Sequence, residues 1–361
     1  MALDQYYLLG RSGLRVSRLA LGTMNFGTGG YHAAYGKSAD EARPIFRRYL
    51  DDGGNFIDTA DFYTAGESET ILGTLIAEAK VRDRVVLTTK FTNSIAPGDP
   101  NAGGNGRKHM IRALDDSLRR LGTDYVDLFL LHTWDRITPV DEVLRTFDDL
   151  VRAGKIRYAG LSDVPSWYAA QAQTLADAHS MSPMINLQLP YSLVERQIEV
   201  EHVAMAQALG LGITAWSPLG GGFLSGKYKA GLEGEGRLSI PGASGLSLTD
   251  RDWALLRPLE SVADKLGVTM AQVAVNWVAT QPGVASAIIG ASSAEQLGST
   301  MAALGFEIPA ELRAEIDVAS AIPPESVYRM FTPGYQNQLI SPGIKVGDKP
   351  AGYRPAVQNW V

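Results

Sequence analysis

The sequence predicts an α/β fold, a (β/α)8 TIM barrel, from three observations. Short apolar runs alternate with longer segments of helical period, eight of each can be counted, and every intervening segment is long enough to return the chain to a parallel neighbour. The apolar runs lie at 19–22, 55–58, 85–90, 126–132, 158–162, 185–188, 212–216 and 286–289. Strands this apolar expect helices outside and packed side chains inside. The helical segments lie near 38–52, 68–79, 108–121, 139–153, 166–179, 198–209, 268–280 and 293–303. Pro139 suits the first turn of its helix, and Ser166 and Ser293 suit N-caps. Residues 6–10 and 14–16 read as an N-terminal β-hairpin. Barrels routinely reach this length as one unit, so 1–361 reads as a single domain.

Composition narrows the function. With 45% hydrophobic and 20% charged residues the chain can bury a large core. A net charge of −6 argues against nucleic-acid and anionic-membrane partners, which need a basic face. The chain has no cysteine, which excludes disulfides, thiolate nucleophiles and cysteine-ligated metals, and no metal site is expected. Residues 1–10 show no basic segment followed by an apolar run, so no leader is expected, and no run approaches the roughly 18 apolar residues of a membrane span. A cytoplasmic protein is expected.

Four stretches break the repeat, at 26–37, 93–107, 218–249 and 320–361. Three of them follow strands, where barrel enzymes carry their substrate loops, at the C-terminal face. The tail at 336–361, rich in Pro and Gly, is compatible with loose order, with a cover over the barrel mouth, or with contact to another subunit, so self-association stays open.

At the strand ends stand Asp58, with Tyr63 five residues on, then Lys90, His132, Ser162-Asp163, Gln188, Trp216-Ser217 and Gly290. Singly, each has an ordinary structural use: Asp58 caps a turn, Lys90 is a solvated strand end, and His132 is a hydrogen-bonded core histidine. Together, a carboxylate, an ammonium, a phenol and an imidazole at one mouth make a proton-transfer site for a carbonyl oxygen. The Lys90 ammonium is expected to favour ionised Tyr63 and bring its pKa down from about 10 toward the working range. Asp58 would hold Lys90 as an ion pair, and His132 would orient the carbonyl.

At this point a family resemblance emerges. Arg11-Ser12-Gly13-Leu14-Arg15-Val16-Ser17, Leu21-Gly22-Thr23-Met24, Phe56-Ile57-Asp58-Thr59-Ala60-Asp61-Phe62-Tyr63, Thr88-Thr89-Lys90, Leu130-Leu131-His132 and Trp216-Ser217-Pro218-Leu219-Gly220 together resemble the aldo-keto reductases, in order and spacing, over roughly 6–305. The resemblance implies a catalytic tetrad at Asp58, Tyr63, Lys90 and His132, with NADPH lying across the barrel mouth. Hydride would pass to the carbonyl carbon while Tyr63 protonates the alkoxide, and alcohol oxidation would be the reverse.

The same likeness assigns Ser162, Asp163 and Gln188 to the nicotinamide carboxamide and Trp216 to the ring face, and it counts Gly22, Thr23, Met24 and Asp58 among the cofactor contacts. Position 163 departs from the family's usual Asn: Asp163 can accept from the carboxamide but cannot donate to its oxygen. The run Ser217-Pro218-Leu219-Gly220-Gly221-Gly222 offers little bulk and several backbone N–H groups, which suits a pyrophosphate. Lys227 and Arg237 match basic positions of relatives. Residues 221–227 nearly spell a nucleotide-triphosphatase loop, but Tyr228 stands where its magnesium ligand belongs. Gly290, Ser292, Gln296 and Thr300 resemble the adenosine-phosphate segment at a helix N-terminus, with Ser292 and Gln296 in place of the usual Arg or Lys. NADPH is favoured and NADH left open.

Phe26, Tyr63, His132 and Trp134 are the expected substrate contacts. Tyr31 and Tyr35 also lie on mouth loops, and Tyr328, Met330 and Phe331 on the tail, which suits an apolar or ring-bearing aldehyde or ketone. Two rivals remain. A redox-sensing regulatory subunit would bind nucleotide with little turnover, as the potassium-channel β subunits suggest by sharing the Trp-Ser-Pro-Leu stretch. A barrel hydrolase or isomerase using Asp58 and His132 would leave Trp216, Lys227 and Ser292 unexplained.

Overall fold

The computed structural model describes residues 3–94, 96–228, 236–240, 246–323, 327–340 and 342–344, without the side chains of Tyr31, His32 and Pro333. Expectations for the Tyr31 side chain, for parts of the 218–249 loop and for the tail beyond 344 therefore fall outside the described residues.

Two short strands, β1 (Tyr6–Leu8) and β2 (Arg15–Ser17), pair antiparallel as a hairpin. The barrel follows: β3 (Leu19–Gly22), β4 (Phe56–Asp58), β5 (Val86–Phe91), β6 (Val126–Leu131), β7 (Ile156–Ser162), β8 (Met184–Pro190), β9 (Gly212–Trp216) and β10 (Val284–Ile289). These eight strands close in sequence order, β10 pairing in parallel with both β9 and β3.

The two-residue period of a strand explains why nearly every strand residue is apolar. Along β6, Leu128 and Leu130 point into the barrel and meet Ala20, Phe56, Ile185 and Ile288. Phe129 and Leu131 point outward into the layer beneath the helices, where Phe129 stacks on Phe91 with ring centroids 5.0 Å apart. Leu9 and Val16 of the hairpin segment belong to the inner cluster, so the hairpin plugs the N-terminal end. Polar chemistry is left with the other end.

The crossovers carry α1 (Ala39–Asp51), α2 (Glu67–Ala79), α3 (Arg107–Leu121), α4 (Val140–Arg152), α5 (Ser166–Ala178), α6 (His202–Leu209), α7 (Asp250–Leu266), α8 (Met270–Ala279) and α9 (Ala294–Met301). Two more, α10 (Ala310–Ser320) and α11 (Pro333–Leu339), follow the barrel. Ser293 caps α9 as expected, its hydroxyl accepting from the Gln296 N–H.

Several local expectations are corrected. Pro139 and Pro165 occupy the N-cap positions, which places Ser166 inside α5, where its hydroxyl donates to the Glu201 carboxylate. The segment near 198–209 is broken: a 3-10 turn spans Gln197–Glu199, and Glu201, off helical geometry at φ −137°, starts α6 afresh. Helices α7 and α10 lie outside the expected set, because a pattern of one helix per strand is complete without them. Thr249 and Asp252 form a capping box that starts α7, and Lys265 pairs with Glu315 at 3.0 Å to join α7 to α10. The tail, expected to be irregular, carries α11 and a 3-10 turn at Tyr328–Phe331. Among the described residues no helix is long and apolar enough to cross a membrane.

Candidate active site

The parallel register brings the strand-end groups together. Asp58 ends β4, Lys90 lies next to last in β5, and both are buried. The Lys90 ammonium donates to Asp58 Oδ1 at 2.6 Å, to the Thr59 carbonyl at 2.8 Å and to the Tyr63 hydroxyl at 3.3 Å, which occupies all three of its hydrogens. The other Asp58 oxygen accepts from Gln188 Nε2 at 2.8 Å. Tyr63 begins a tight turn whose next two residues, Thr64 and Ala65, have φ of 49° and 58°. His132 follows β6 directly, and its N–H donates to the Phe91 carbonyl at 3.1 Å. Its ring meets Tyr63 edge-on at 5.8 Å and Phe62 at 5.2 Å, and Nδ1 lies 3.5 Å from Asn93 Nδ2.

The electrostatics differ from expectation in one respect. Burial raises the Tyr63 pKa; Lys90 lowers it, the Asp58 charge raises it again, and the phenol ends above its ordinary value instead of below. Burial pulls the Lys90 pKa down, but the charges of Asp58 and Tyr63 more than reverse this, so the ammonium holds its proton more tightly than usual. At neutral pH the group is therefore a protonated phenol beside an ion pair.

These residues stand at one end of a cavity of about 910 Å³, within the range of small-molecule sites. From the expected set, Gly22, Met24, Asp58, Tyr63, His132, Ser162, Asp163, Gln188, Trp216, Ser217, Pro218, Leu219, Gly221, Lys227, Arg237, Gly290, Ser292 and Gln296 line it. Trp216 is pinned by its indole Nε1, which donates to Asp163 Oδ1 at 3.0 Å. Ser162 Oγ is buried with no hydrogen-bond partner.

The glycine run is built differently from what the sequence implied. Gly220, Gly221 and Gly222 have φ of 53°, 67° and 97°, a path that glycine takes without strain. Their N–H groups donate to the Ser217 carbonyl, Ser217 Oγ and the Leu219 carbonyl, so they are spent within the turn. The small residues instead give room to cations: a Cβ on Gly221 would meet Leu238 Cδ2 at 2.8 Å and Arg237 Nη2 at 3.3 Å. Gln296 Oε1 accepts from both the N–H and the hydroxyl of Ser292, at 2.7 and 2.6 Å, and so closes that loop.

Four expected residues lie off the wall. Thr23 is buried behind it, its hydroxyl donating to the Asp58 carbonyl at 3.1 Å and lying 2.9 Å from the Ser68 hydroxyl. Thr300 donates back to the Gln296 carbonyl within α9. Phe26 is a fully buried core residue, and Trp134 packs edge-on against Trp167 at 5.5 Å. Tyr328, Met330 and Phe331 also lie off the wall, whereas Tyr35 is on it.

Asn25, Phe62 and Ser239 line the cavity in addition to the expected residues. For Phe62 the signal was its place beside Tyr63. Asn25 ties the loop after β3 to the loop after β10 through the Ala291 carbonyl at 2.9 Å, a contact across 266 residues that no local pattern reveals. A second hollow of about 410 Å³ at the start of α2 holds none of the strand-end polar groups.

Comparison with known proteins agrees with this architecture. The model of the Aldo/keto reductase family matches residues 18–321. The chain is 37% identical to an uncharacterized oxidoreductase, YrpG, of Bacillus subtilis, covering 85% of this chain and 93% of that one. It is 34% identical to a putative voltage-gated potassium channel subunit beta of Schizosaccharomyces pombe, covering 90% and 96%, and 31% identical to norsolorinic acid reductase B of Aspergillus parasiticus, covering 96% and 90%. With the closed barrel, its N-terminal hairpin and near full-length similarity to named reductases in agreement, the chain belongs to the aldo/keto reductase family and is an oxidoreductase.

Proposed function

We propose that the protein reduces an aldehyde or ketone to the alcohol, reversibly, with NADPH, and that Tyr63 is the general acid. The observation that carries this reading is the Lys90 ammonium, held 2.6 Å from Asp58 and 3.3 Å from the Tyr63 hydroxyl at the base of the cavity.

The residues present fit a nicotinamide dinucleotide. Ser162 Oγ, a buried hydroxyl lacking a partner, can donate to a carboxamide oxygen. Gln188 has committed its NH₂ to Asp58, which leaves its oxygen to accept from a carboxamide NH₂. Trp216 offers a fixed flat face, and a Cβ on Gly290 would meet nothing within 4 Å, so the adjoining groove is open. Lys227 and Arg237 would hold phosphates, which supports NADPH over NADH.

When bound, the reduced dinucleotide supplies a hydride for the carbonyl carbon. The protein's own groups manage the oxygen. Tyr63 delivers its hydroxyl proton to the developing alkoxide, and the high pKa of the resting phenol keeps that proton in place until negative charge appears. Lys90 stabilises the phenolate left behind, and Asp58 keeps Lys90 aimed at it. His132, packed against Tyr63, positions the carbonyl by hydrogen bonding. Phe62 and Tyr35 add ring surface to the wall, which supports an apolar or ring-bearing substrate. A binding-only role, raised by the relatives named as channel subunits, would leave this proton donor and its ion pair without a use. The test is nucleotide oxidation with a panel of reactive aldehydes, run with NADPH and with NADH. Turnover with NADPH is expected; absence of turnover together with absence of nucleotide binding would refute the reading.

A further inference from the structure

The carboxylate at position 163 differs from an amide in more than hydrogen bonding. Asp163 follows β7 at φ 46°, and its backbone is clamped: the N–H donates to the Gln188 carbonyl at 3.1 Å, and the carbonyl accepts from the Trp134 N–H at 3.3 Å. Its Oδ1 is engaged by the Trp216 indole at 3.0 Å. The side chain is thus fixed on the cavity wall beside Ser162, Gln188 and Trp216. An amide oxygen could accept the same indole hydrogen, so pinning Trp216 does not require a charge here.

We propose that Asp163 makes nucleotide affinity depend on redox state, its carboxylate holding the cationic pyridinium of the oxidised dinucleotide more tightly than the neutral dihydropyridine of the reduced one. The inference rests on the cofactor reading above and adds a specificity that the reading does not require. A charge fixed on a partly dry wall discriminates between ligands of unlike charge by Coulomb attraction, while every contact common to both forms cancels. A group of this kind also makes the bound reduced form a stronger hydride donor than it is in water, because the oxidised product is held more tightly.

The charged neighbours are few. Lys90 on β5 attracts the carboxylate and Glu195, after β8, opposes it; Asp58, Tyr63 and His132 line the same cavity from the ends of β4 and β6, and Trp216 on β9 donates to it. Burial leads these influences and pushes the Asp163 pKa up to about 6, so its charge can be switched on within an accessible pH range.

The experiment is calorimetric titration of the whole protein with NADP⁺ and with NADPH between about pH 5 and about pH 7.5. The 2′-phosphate titrates in both ligands and drops out of the ratio of dissociation constants. In the wild type the preference for NADP⁺ over NADPH is expected to grow about tenfold as pH rises through 6, one pKa unit of linkage. In Asp163→Asn, and in Asp163→Ser as a second variant, the ratio should stay constant. A flat ratio in the wild type overturns the proposal even if both nucleotides bind well. An equal rise in the wild type and both variants assigns the effect to His132 and overturns it too. If neither nucleotide binds, the cofactor reading falls and takes this inference with it.

Discussion

The two halves of the cavity are built on different principles. At one end Asp58, Lys90 and Gln188 lie on barrel strands, buried, and satisfy one another at 2.6–2.8 Å, with Tyr63 and His132 only just beyond the strand tips. At the other end Lys227, Arg237, Ser292 and Gln296 stand on loops and at a helix start, and the hydrogen bonds between Ser292 and Gln296 are local and exposed. The strand end is rigid because a polar group moved there has nowhere else to be satisfied.

Perturbing the strand end should therefore have the larger effects. Tyr63→Phe is expected to lower carbonyl reduction by about 10²–10⁴-fold while nucleotide affinity stays near wild type, since only the proton donor is removed. Steady-state kinetics with a parallel binding titration checks this, and retained turnover would remove Tyr63 from the acid role. Lys90→Met strands a buried carboxylate and should destabilise the fold by about 3–5 kcal/mol in urea unfolding. Adding Asp58→Asn to it should recover more than half of that loss; if it recovers nothing, the pair is not what holds this end together.

The pH dependence of stability is a subtler probe of the junction between the halves. Burial raises the Asp163 pKa in the folded protein to about 6 from its ordinary 3.8, so between these values the folded state keeps a proton that the unfolded state has lost. Stability of the ligand-free protein should then fall as pH rises from about 4 to about 6, and level off above, by about 3 kcal/mol at most. Asp163→Asn should abolish this limb of the profile, and an unchanged profile would place the titration elsewhere. The smallest effect is expected at the loop end. Lys227→Ala should weaken NADPH by about tenfold and NADH less, as loss of one charge-assisted phosphate contact predicts. Equal weakening of both would argue against a 2′-phosphate contact and erase the proposed division between the two ends.

The same division separates what could be read in the chain from what could not. Alternating apolar and helical periods, with Asp58, Lys90 and His132 each closing or following an apolar run, locate the eight strands and the polar groups at their ends. That holds because a closed parallel barrel leaves little freedom in where a strand's C-terminus points. Burial could not be read: the expectation that Lys90 lowers the Tyr63 pKa counted a neighbouring charge and missed the larger effect of removing the phenol from water. Nor could the use of the glycine N–H groups within their own turn be read, nor the placing of Phe26 and Trp134 in packed clusters away from the cavity. Local order along the chain determined the barrel and the convergence of its polar tips. Only tertiary packing decided how far those tips are shielded from water and which loop residues reach the cavity, since desolvation and long-range contacts such as Asn25 with Ala291 depend on segments far apart in sequence.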